Sequence, residues 1–226
     1  MELSYLGLSS FKMRFKNGMT LLMDPFDPEY VGLSFPKQKA DLVTVSHDHK
    51  DHNYLDGVSG PAKREEMFLI SEEGEYEVGG VEVAAIKTFH DKNDGKDRGE
   101  NLVMVIRCEE MVICHLGDLG HPLSEKQIEG IGAVDVLLVP VGGEYTIDAK
   151  EASDMITNMS PSIVVPMHYK IKGMNKEFEV LKEVSDFLDK TGLEVMTEGV
   201  DKMKIDARTL PENTKVAVLG SSNGQS

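Results

Sequence analysis

Three histidines and two aspartates lie within six positions, in the segment HDHKDH from His47 to His52. The segment follows DLVTVS (residues 41–46), a short apolar run typical of a buried strand. Solvent exposure alone rarely explains so many ligand-type side chains together. His47 and His49 are two residues apart, so an extended backbone points both toward one metal ion, while Asp51 and His52 can reach a second ion after a turn. The segment therefore predicts a site for two metal ions.

An ion held by two side chains of this segment needs at least a third protein ligand, and the candidates are His90, His115, His121 and His168. His90 ends the predicted strand AAIKTFH, His168 ends SIVVPMH, and Asp118 follows MVICHLGD. Side chains at the ends of separate strands can meet at one edge of the fold and together coordinate a metal ion. His115 lies inside its strand, where a hydrogen-bonded core position is the simpler interpretation. His121 could either line the pocket or lie in a solvated loop, and the sequence leaves both alternatives open.

Taken in order, these residues resemble the metallo-β-lactamase superfamily, whose signature H-x-H-x-D-H is followed by a His, an Asp and a His at later strand ends. An earlier acidic position of that family is matched by Asp24 in TLLMDP. The resemblance covers about residues 3–169, and GLSSF, LLMDPF, HLGDLG and PVGGEYTIDAKEA are similar to the branch of L-ascorbate-6-phosphate lactonase-like and other metal-dependent hydrolases. It implies an α/β (α+β) fold, the four-layer αββα sandwich of the metallo-β-lactamase fold.

The resemblance also implies a role for each site residue. One metal would be held by His47, His49 and His90, and the other by Asp51, His52 and His168, with Asp118 bridging the two and Asp24 supporting without touching metal. A metal-bridging hydroxide would be the nucleophile, and Asp51 would be the catalytic residue that passes a proton to the leaving group. This ligand set of nitrogen and oxygen donors suits zinc, but it also admits manganese, iron or nickel, because the soft thiolate ligand that would favour zinc is missing.

These inferences predict a metal-dependent hydrolase with a small-molecule substrate, an ester, lactone or phosphodiester. One alternative is a phosphodiesterase or nuclease of the same fold, for which Lys170, Lys172 and Lys176 near His168 would supply a basic patch. Another is a metal-binding protein without turnover. Tyr145, in a loop before a predicted helix, either contacts substrate or forms an exposed turn.

Composition narrows the classes of partner. The 226 residues include 39 acidic and 24 basic side chains, a formal net charge of -15, which disfavours nucleic acid. No run approaches the roughly 18 apolar residues of a membrane span, so we expect no membrane partner and a cytoplasmic location. We expect Cys108 and Cys114, which flank a predicted turn at Glu109 and Glu110, to be reduced. Self-association stays open.

The elements that must position the site are predicted to form a single domain over residues 1–226. Alternating and apolar runs predict strands at residues 2–6, 11–16, 19–24, 41–46, 67–70, 81–87, 102–107 and 111–115. Asn17-Gly18 predicts a type I′ hairpin turn. The polar stretch 91–100 predicts a loop with Asp91 as charged surface, and Asp48 and Lys50 are interpreted as exposed spacers.

Beyond residue 120 the pattern alternates helix and strand. Ser124 with Gln127 and Asp148 with Glu151 resemble capping boxes, each opening a helix that is followed by a strand, at residues 134–139 and 163–165. Apolar residues at spacings of three and four predict an amphipathic helix over residues 175–190, ended by Gly192. The last six residues, SSNGQS, are predicted to fray.

Overall fold

The computed structural model describes residues 1–61 and 66–220, so the predicted frayed end, residues 221–226, lies outside the described residues. The strands of the first part are, in chain order, β1 (Glu2–Gly7), β2 (Ser10–Arg14), β3 (Thr20–Met23), β4 (Gln38–Lys39), β5 (Leu42–Thr44), β6 (Val58–Ser59) and β7 (Phe68–Ile70). Those that follow are β8 (Gly74–Val78), β9 (Val81–Phe89), β10 (Glu100–Cys108), β11 (Met111–His115), β12 (Val136–Pro140), β13 (Ile163–Met167), β14 (Val195–Val200), β15 (Lys202–Lys204) and β16 (Lys215–Leu219).

Helices are fewer and lie mostly in the second half. The α-helices are α1 (Pro28–Val31), α2 (Glu125–Ile131), α3 (Ala149–Met159) and α4 (Val184–Thr191), and the 3-10 helices span Leu55–Gly57, Lys176–Phe178 and Ala207–Thr209. None of the helices in the described ranges is long and apolar enough to cross a membrane.

One large sheet has the strand order β15-β1-β2-β3-β5-β7, antiparallel from β15 to β3 and parallel from β3 to β7. Along β1, Leu3 and Tyr5 are buried while Glu2 and Ser4 are partly exposed. This alternation places one face of the strand on the core, because successive side chains of a strand point to opposite faces. Strands β4 and β6 form a separate parallel pair.

The other large sheet has the order β14-β16-β13-β12-β11-β10-β9-β8, antiparallel from β8 to β11 and parallel from β11 to β14. Every residue of β12 and β13 is buried, as expected for parallel strands covered on both faces. Helix α3 packs against β12 and against α4, and apolar residues of both large sheets belong to one core. The predicted mixed α/β class is confirmed.

Side-chain capping explains why the starts of helices α2 and α3 were predicted from the sequence. Both capping boxes are present: the Ser124 side chain accepts from the backbone N–H of Gln127, and the Asp148 side chain accepts from that of Glu151.

The prediction of a type I′ turn at Asn17-Gly18 is wrong. That turn needs positive φ at both residues, and of the two only Gly18 has it, at 87°. Asn17 Oδ1 instead accepts from the backbone N–H of Met19 at 2.9 Å, within a longer loop.

The predicted helix over residues 175–190 is also wrong in its extent. The segment divides into the 3-10 helix Lys176–Phe178 and helix α4, which ends at Gly192 as predicted, with φ 61°. Between them the backbone N–H of Lys182 donates to Gly142 O at 3.0 Å, and Lys182 O accepts from Lys170 N at 2.9 Å. Because this backbone pairs with other segments, it cannot form helical bonds there.

Candidate metal centre

The ends of four strands bring seven predicted ligands together. The HDHKDH segment follows β5, and His90, Asp118 and His168 follow β9, β11 and β13. The ligand atoms form two groups, and within each group they lie within 4.8 Å of one another: His47, His49 and His90 in one, Asp51, His52, Asp118 and His168 in the other. The structure thus brings together residues as far apart in the chain as His47 and His168, in the two sets that the family resemblance implied.

The first group consists of three imidazoles. The ring of His47 lies 4.5 Å from that of His49 and 4.7 Å from that of His90, measured between ring centroids. Burial lowers the pKa of His47 well below its ordinary value, and the nearby His52 lowers it further. Burial likewise lowers the pKa of His90 to about 4. Both rings are therefore neutral near pH 7, the form that offers a lone pair to a metal ion.

The second group is centred on Asp118, which lies between the two groups. Its Oδ2 atom is 3.1 Å from Nε2 of His52, 3.1 Å from Nε2 of His168 and 3.5 Å from Nε2 of His90. Burial alone would raise the pKa of Asp118, but His168 and His52 outweigh it and hold this pKa well below its ordinary value. The carboxylate is thus ionised and faces imidazoles of both groups, as a bridging ligand must.

Asp24 contacts His52, a member of the second group, at the ring nitrogen that does not face Asp118. Its Oδ1 accepts from the backbone N–H of Ser46 at 2.8 Å, its Oδ2 accepts from Ser46 Oγ at 2.6 Å, and Oδ2 lies 2.8 Å from Nδ1 of His52. Burial would lower the pKa of His52, but Asp118, Asp51 and Asp24 together raise it well above its ordinary value. The carboxylate of Asp24 therefore stabilises the His52 ring in the orientation that turns Nε2 toward Asp118.

Two site residues have left-handed backbones directly after a strand. Asp24 follows β3 with φ 44°, and His168 follows β13 with φ 51°. Non-glycine residues seldom adopt this region, and such strain concentrates at functional sites. The His168 backbone N–H donates to Leu8 O at 2.7 Å, which fixes the chain where it turns into the site.

A further set of polar residues holds Asp118 in place. Ser9 Oγ donates to Asp118 Oδ1 at 3.2 Å, and Asn101 Oδ1 accepts from the Asp118 backbone N–H at 2.9 Å. His115 donates from Nε2 to Ser9 O at 2.8 Å and accepts at Nδ1 from Gly117 N at 3.1 Å. His115 is thus a buried, hydrogen-bonded core residue outside both ligand groups, as predicted. The sequence analysis missed Ser9, Ser46 and Asn101, although Ser9 lies in the quoted GLSSF motif.

The hydrogen bonding of the cluster shows whether these residues fit a metal. Several buried ring nitrogens make no well-formed hydrogen bond within the described chain: Nε2 of His47, and Nδ1 of His90 and His168, and also Nε2 of His52 and His168, although these last two face Asp118 Oδ2 at 3.1 Å. A buried polar atom without a partner costs free energy, so native proteins rarely leave one. Cations between the rings would satisfy the Nε2 atoms of His47, His52 and His168, and these residues therefore fit a metal-binding site.

A cavity of about 490 Å³ opens onto the cluster. Its lining includes ligands of both groups, among them His49, Asp51 and His90, and residues outside the cluster: Tyr30, Asp48, Lys50, Arg98, Tyr145, Glu177 and Phe178. Asp48 and Lys50 are exposed, as predicted, and both also line the cavity. Tyr145 lines it too, and its hydroxyl donates to Glu177 O at 2.9 Å.

Other candidates lie away from this lining. His121 lies against Phe89, with 6.0 Å between ring centroids, and its Nδ1 is 2.9 Å from Pro122 O. Neither His121 nor the predicted basic patch of Lys170, Lys172 and Lys176 is among the residues that line the cavity.

Asp91 is not surface charge, as had been predicted, but the anchor of a loop. It is 9% exposed, and its carboxylate accepts from the backbone N–H groups of Asn93, Gly95, Asp97 and Arg98 at 2.7 to 3.0 Å. Desolvation would raise the pKa of Asp91, but these four donors outweigh it and lower the pKa to about 2. The ionised carboxylate fixes the loop that carries Arg98 to the cavity.

Comparison with known proteins places these features in a family. The family profile described as a Beta-lactamase superfamily domain matches residues 2–168. A UPF0173 metal-dependent hydrolase of Staphylothermus marinus is 30% identical over 210 residues, which cover 80% of this chain and 90% of that protein.

Two solved structures show the same architecture. The crystal structure of a proposed Zn-dependent hydrolase of the metallo-beta-lactamase superfamily from Thermotoga maritima is similar with a TM-score of 0.77 and 35% identity, over 96% of this chain and 97% of that one. Igni18, a metallo hydrolase of Ignicoccus hospitalis, shares the fold with a TM-score of 0.67 at 22% identity, over 99% of this chain and 96% of that one.

Proposed function

This chain belongs to the beta-lactamase superfamily and to its UPF0173 metal-dependent hydrolase family, and on that premise we propose that it uses two zinc ions to hydrolyse a small ester, lactone or phosphodiester. The observation that carries the proposal is the pair of ligand groups, with Asp118 of the second group facing imidazoles of both, beside a cavity of about 490 Å³. A cavity of this size suits a small molecule.

The proposal divides the work between metals and side chains. Two divalent cations held by these groups would lower the pKa of a water molecule to near neutrality and polarise the oxygen of the scissile group. The side chains need supply no nucleophile of their own. Zinc is supported by the donor set of imidazoles and carboxylates and by the Zn-dependent hydrolase of Thermotoga maritima, while manganese, iron and nickel fit the same donors.

Asp51 is the residue that the geometry favours for proton transfer. Its carboxylate belongs to the second group, with Oδ2 3.7 Å from Nε2 of His52, and it also lines the cavity. A carboxylate that borders both the nucleophile and the bound substrate can carry a proton from one to the leaving group of the other. Asp118 is enclosed by imidazoles and is less suited to this role.

The phosphodiesterase or nuclease alternative has weaker support. The lysines that would have formed its basic patch do not line the cavity, and the chain carries a net charge of -15. Long nucleic acid would meet electrostatic repulsion outside the immediate site. A small phosphodiester is not subject to this argument and stays among the substrates.

The test is hydrolysis by the zinc-loaded protein of a panel of lactones, p-nitrophenyl esters and bis-p-nitrophenyl phosphate. We expect turnover of at least one class, loss of most zinc and activity in His49→Ala, and loss of activity in Asp51→Ala. Circular dichroism should show an intact fold in both variants, because each residue is a site ligand and not part of the core. Zinc binding without turnover of any substrate would instead support a metal-binding protein, and full activity in both variants would refute the mechanism.

A further inference from the structure

Arg98 lines the cavity, and contacts fix both its backbone and its side chain. Its backbone N–H donates to Asp91 Oδ2 at 2.8 Å, and its guanidinium carbon lies 4.6 Å from the centroid of the Tyr145 ring. Tyr145 is itself fixed by the hydrogen bond from its hydroxyl to Glu177 O. A guanidinium on an aromatic face keeps its N–H donors free at the edges, so the stack orients Arg98 without using its hydrogen-bonding capacity.

Lys50 supplies a second cation from within the metal-binding segment. Its Nζ atom lies 5.9 Å from the centroid of the Tyr30 ring, and its backbone carbonyl accepts from Asp27 N at 2.9 Å. The Tyr30 ring in turn packs edge-on against Phe178, with 5.7 Å between centroids. Both cations of the cavity lining are thus supported by a tyrosine ring.

Neither cation has a carboxylate partner in the described part of the chain, where the structure gives no ion pair to Arg98 or Lys50. Most basic side chains of the described residues also lack an ion pair, so what sets Arg98 and Lys50 apart is that they line the cavity. In the same loop as Arg98, Lys92 pairs with Glu151, and Lys87, on the preceding strand, pairs with Glu100. The basic groups at the cavity are therefore available to an anion from outside, in a chain where acidic partners are plentiful.

We propose that Arg98 and Lys50 bind an anionic group of the substrate, a carboxylate or a phosphate, next to the bond that is hydrolysed. The proposal deepens the proposed function and rests on it. A guanidinium offers parallel N–H donors that match both oxygens of a carboxylate or phosphate, and an ammonium adds a point charge. The positive charge of the bound cations would offset the negative charge of carboxylates in the cavity, such as Asp51. The metal-loaded cavity would therefore attract anions although the net charge of the chain is negative.

The test compares matched esters on zinc-loaded protein: neutral p-nitrophenyl butyrate, mono-p-nitrophenyl glutarate with a carboxylate, and p-nitrophenyl phosphonopropionate with a phosphonate. We expect the wild-type kcat/KM to be about 10-fold or more higher for an anionic ester than for the neutral one. Arg98→Met should remove most of this preference, because it lowers kcat/KM for the anionic esters much more than for the neutral ester. Arg98→Lys should keep part of the preference, and Lys50→Met should reduce it. Whichever anionic ester is preferred identifies the group.

Lys96→Met is the matched control, because Lys96 lies exposed in the same loop and is not part of the cavity lining. Zinc content is measured for every variant, and calorimetric binding of glutarate gives a readout independent of turnover, which should weaken in Arg98→Met and not in Lys96→Met. Equal hydrolysis of all three esters, or equal loss on all three in Arg98→Met at full zinc content, would overturn this inference while the proposed function stands. Absence of any hydrolysis by wild type would instead count against the proposed function.

Discussion

Nδ1 of His52 lies 2.8 Å from Oδ2 of Asp24, and both side chains are almost completely buried. The contact joins the end of β3 to the segment that follows β5, two strands that pair in parallel. Because Asp24 occupies one ring nitrogen of His52, the other is free to face Asp118 at 3.1 Å. A carboxylate behind a ligating imidazole fixes its tautomer and raises its basicity, so we predict that Asp24 positions His52 for metal binding.

Asp24→Asn tests this role directly. Asparagine fills the same space and tolerates the left-handed backbone of Asp24, but it carries no charge. We expect one of the two bound metals to be held about 10 to 100-fold more weakly, measured by competition with a chelator. Asp56→Asn, at an exposed aspartate of the 3-10 helix Leu55–Gly57, is the control and should bind as wild type. Wild-type affinity in Asp24→Asn would contradict the assignment.

Gly142 is required because the chain that carries His168 runs directly against it. A Cβ atom at Gly142 would lie 2.0 Å from the backbone oxygen of His168. Since backbone cannot rotate aside, we expect Gly142→Ala to destabilise the fold by about 1 to 3 kcal/mol in urea unfolding and to lower the metal content. Gly130→Ala, in α2 with open space around it, should instead be neutral or stabilise by up to about 1 kcal/mol. Equal stabilities of the two variants would refute the close approach.

Asp91→Ala should loosen the loop that carries Arg98. The variant removes the acceptor of four backbone N–H groups, so these amides should exchange with solvent about 10-fold or more faster than in wild type. Hydrogen exchange measured by mass spectrometry over residues 92–99 gives the answer, with Asp94→Asn as a control in the same loop. Unchanged exchange in Asp91→Ala would show that other contacts order the loop.

The two cysteines should be chemically inert in the folded protein. The structure leaves both unpaired, and burial raises the pKa of Cys108 and of Cys114 to about 12. The thiols stay protonated in the folded state while unfolded thiols ionise near pH 8.5 to 9, so this contribution to stability falls as pH rises from about 9 toward 12. Iodoacetamide at pH 8 should modify both cysteines in urea and neither in buffer. Rapid modification of the folded protein would contradict the burial of these thiols.

The seven ligands could be predicted from the sequence because each belongs to a short local pattern. His47 to His52 are adjacent in the chain, and His90, Asp118 and His168 each end an apolar run that reads as a strand. His90, Asp118 and His168 follow strands of the eight-stranded sheet, whereas His47 to His52 follow β5 of the other large sheet, so the packing of the two sheets, which no local pattern predicts, completes the site. The two capping boxes were predictable from a local pattern, since each involves side chains three residues apart.

The cavity residues outside the ligand groups, Arg98 above all, were mostly not predictable, because their positions depend on contacts between distant segments. Arg98 reaches the cavity through hydrogen bonds to Asp91 and the ring of Tyr145, and no spacing in the sequence encodes this arrangement. Strand β14 was missed because its residues are mostly exposed at the edge of the sheet, where burial imposes little periodicity. The helix over residues 175–190 was predicted wrongly because Phe178 and Leu181 are buried by tertiary packing outside α4.

Anomalous diffraction at the zinc edge, from crystals of the protein loaded with zinc, tests the central claim most directly. We predict two peaks: one among the imidazoles of His47, His49 and His90, the other among Asp51, His52 and His168, with the Asp118 carboxylate between them. A single peak, or peaks away from these side chains, would contradict a two-metal hydrolase centre.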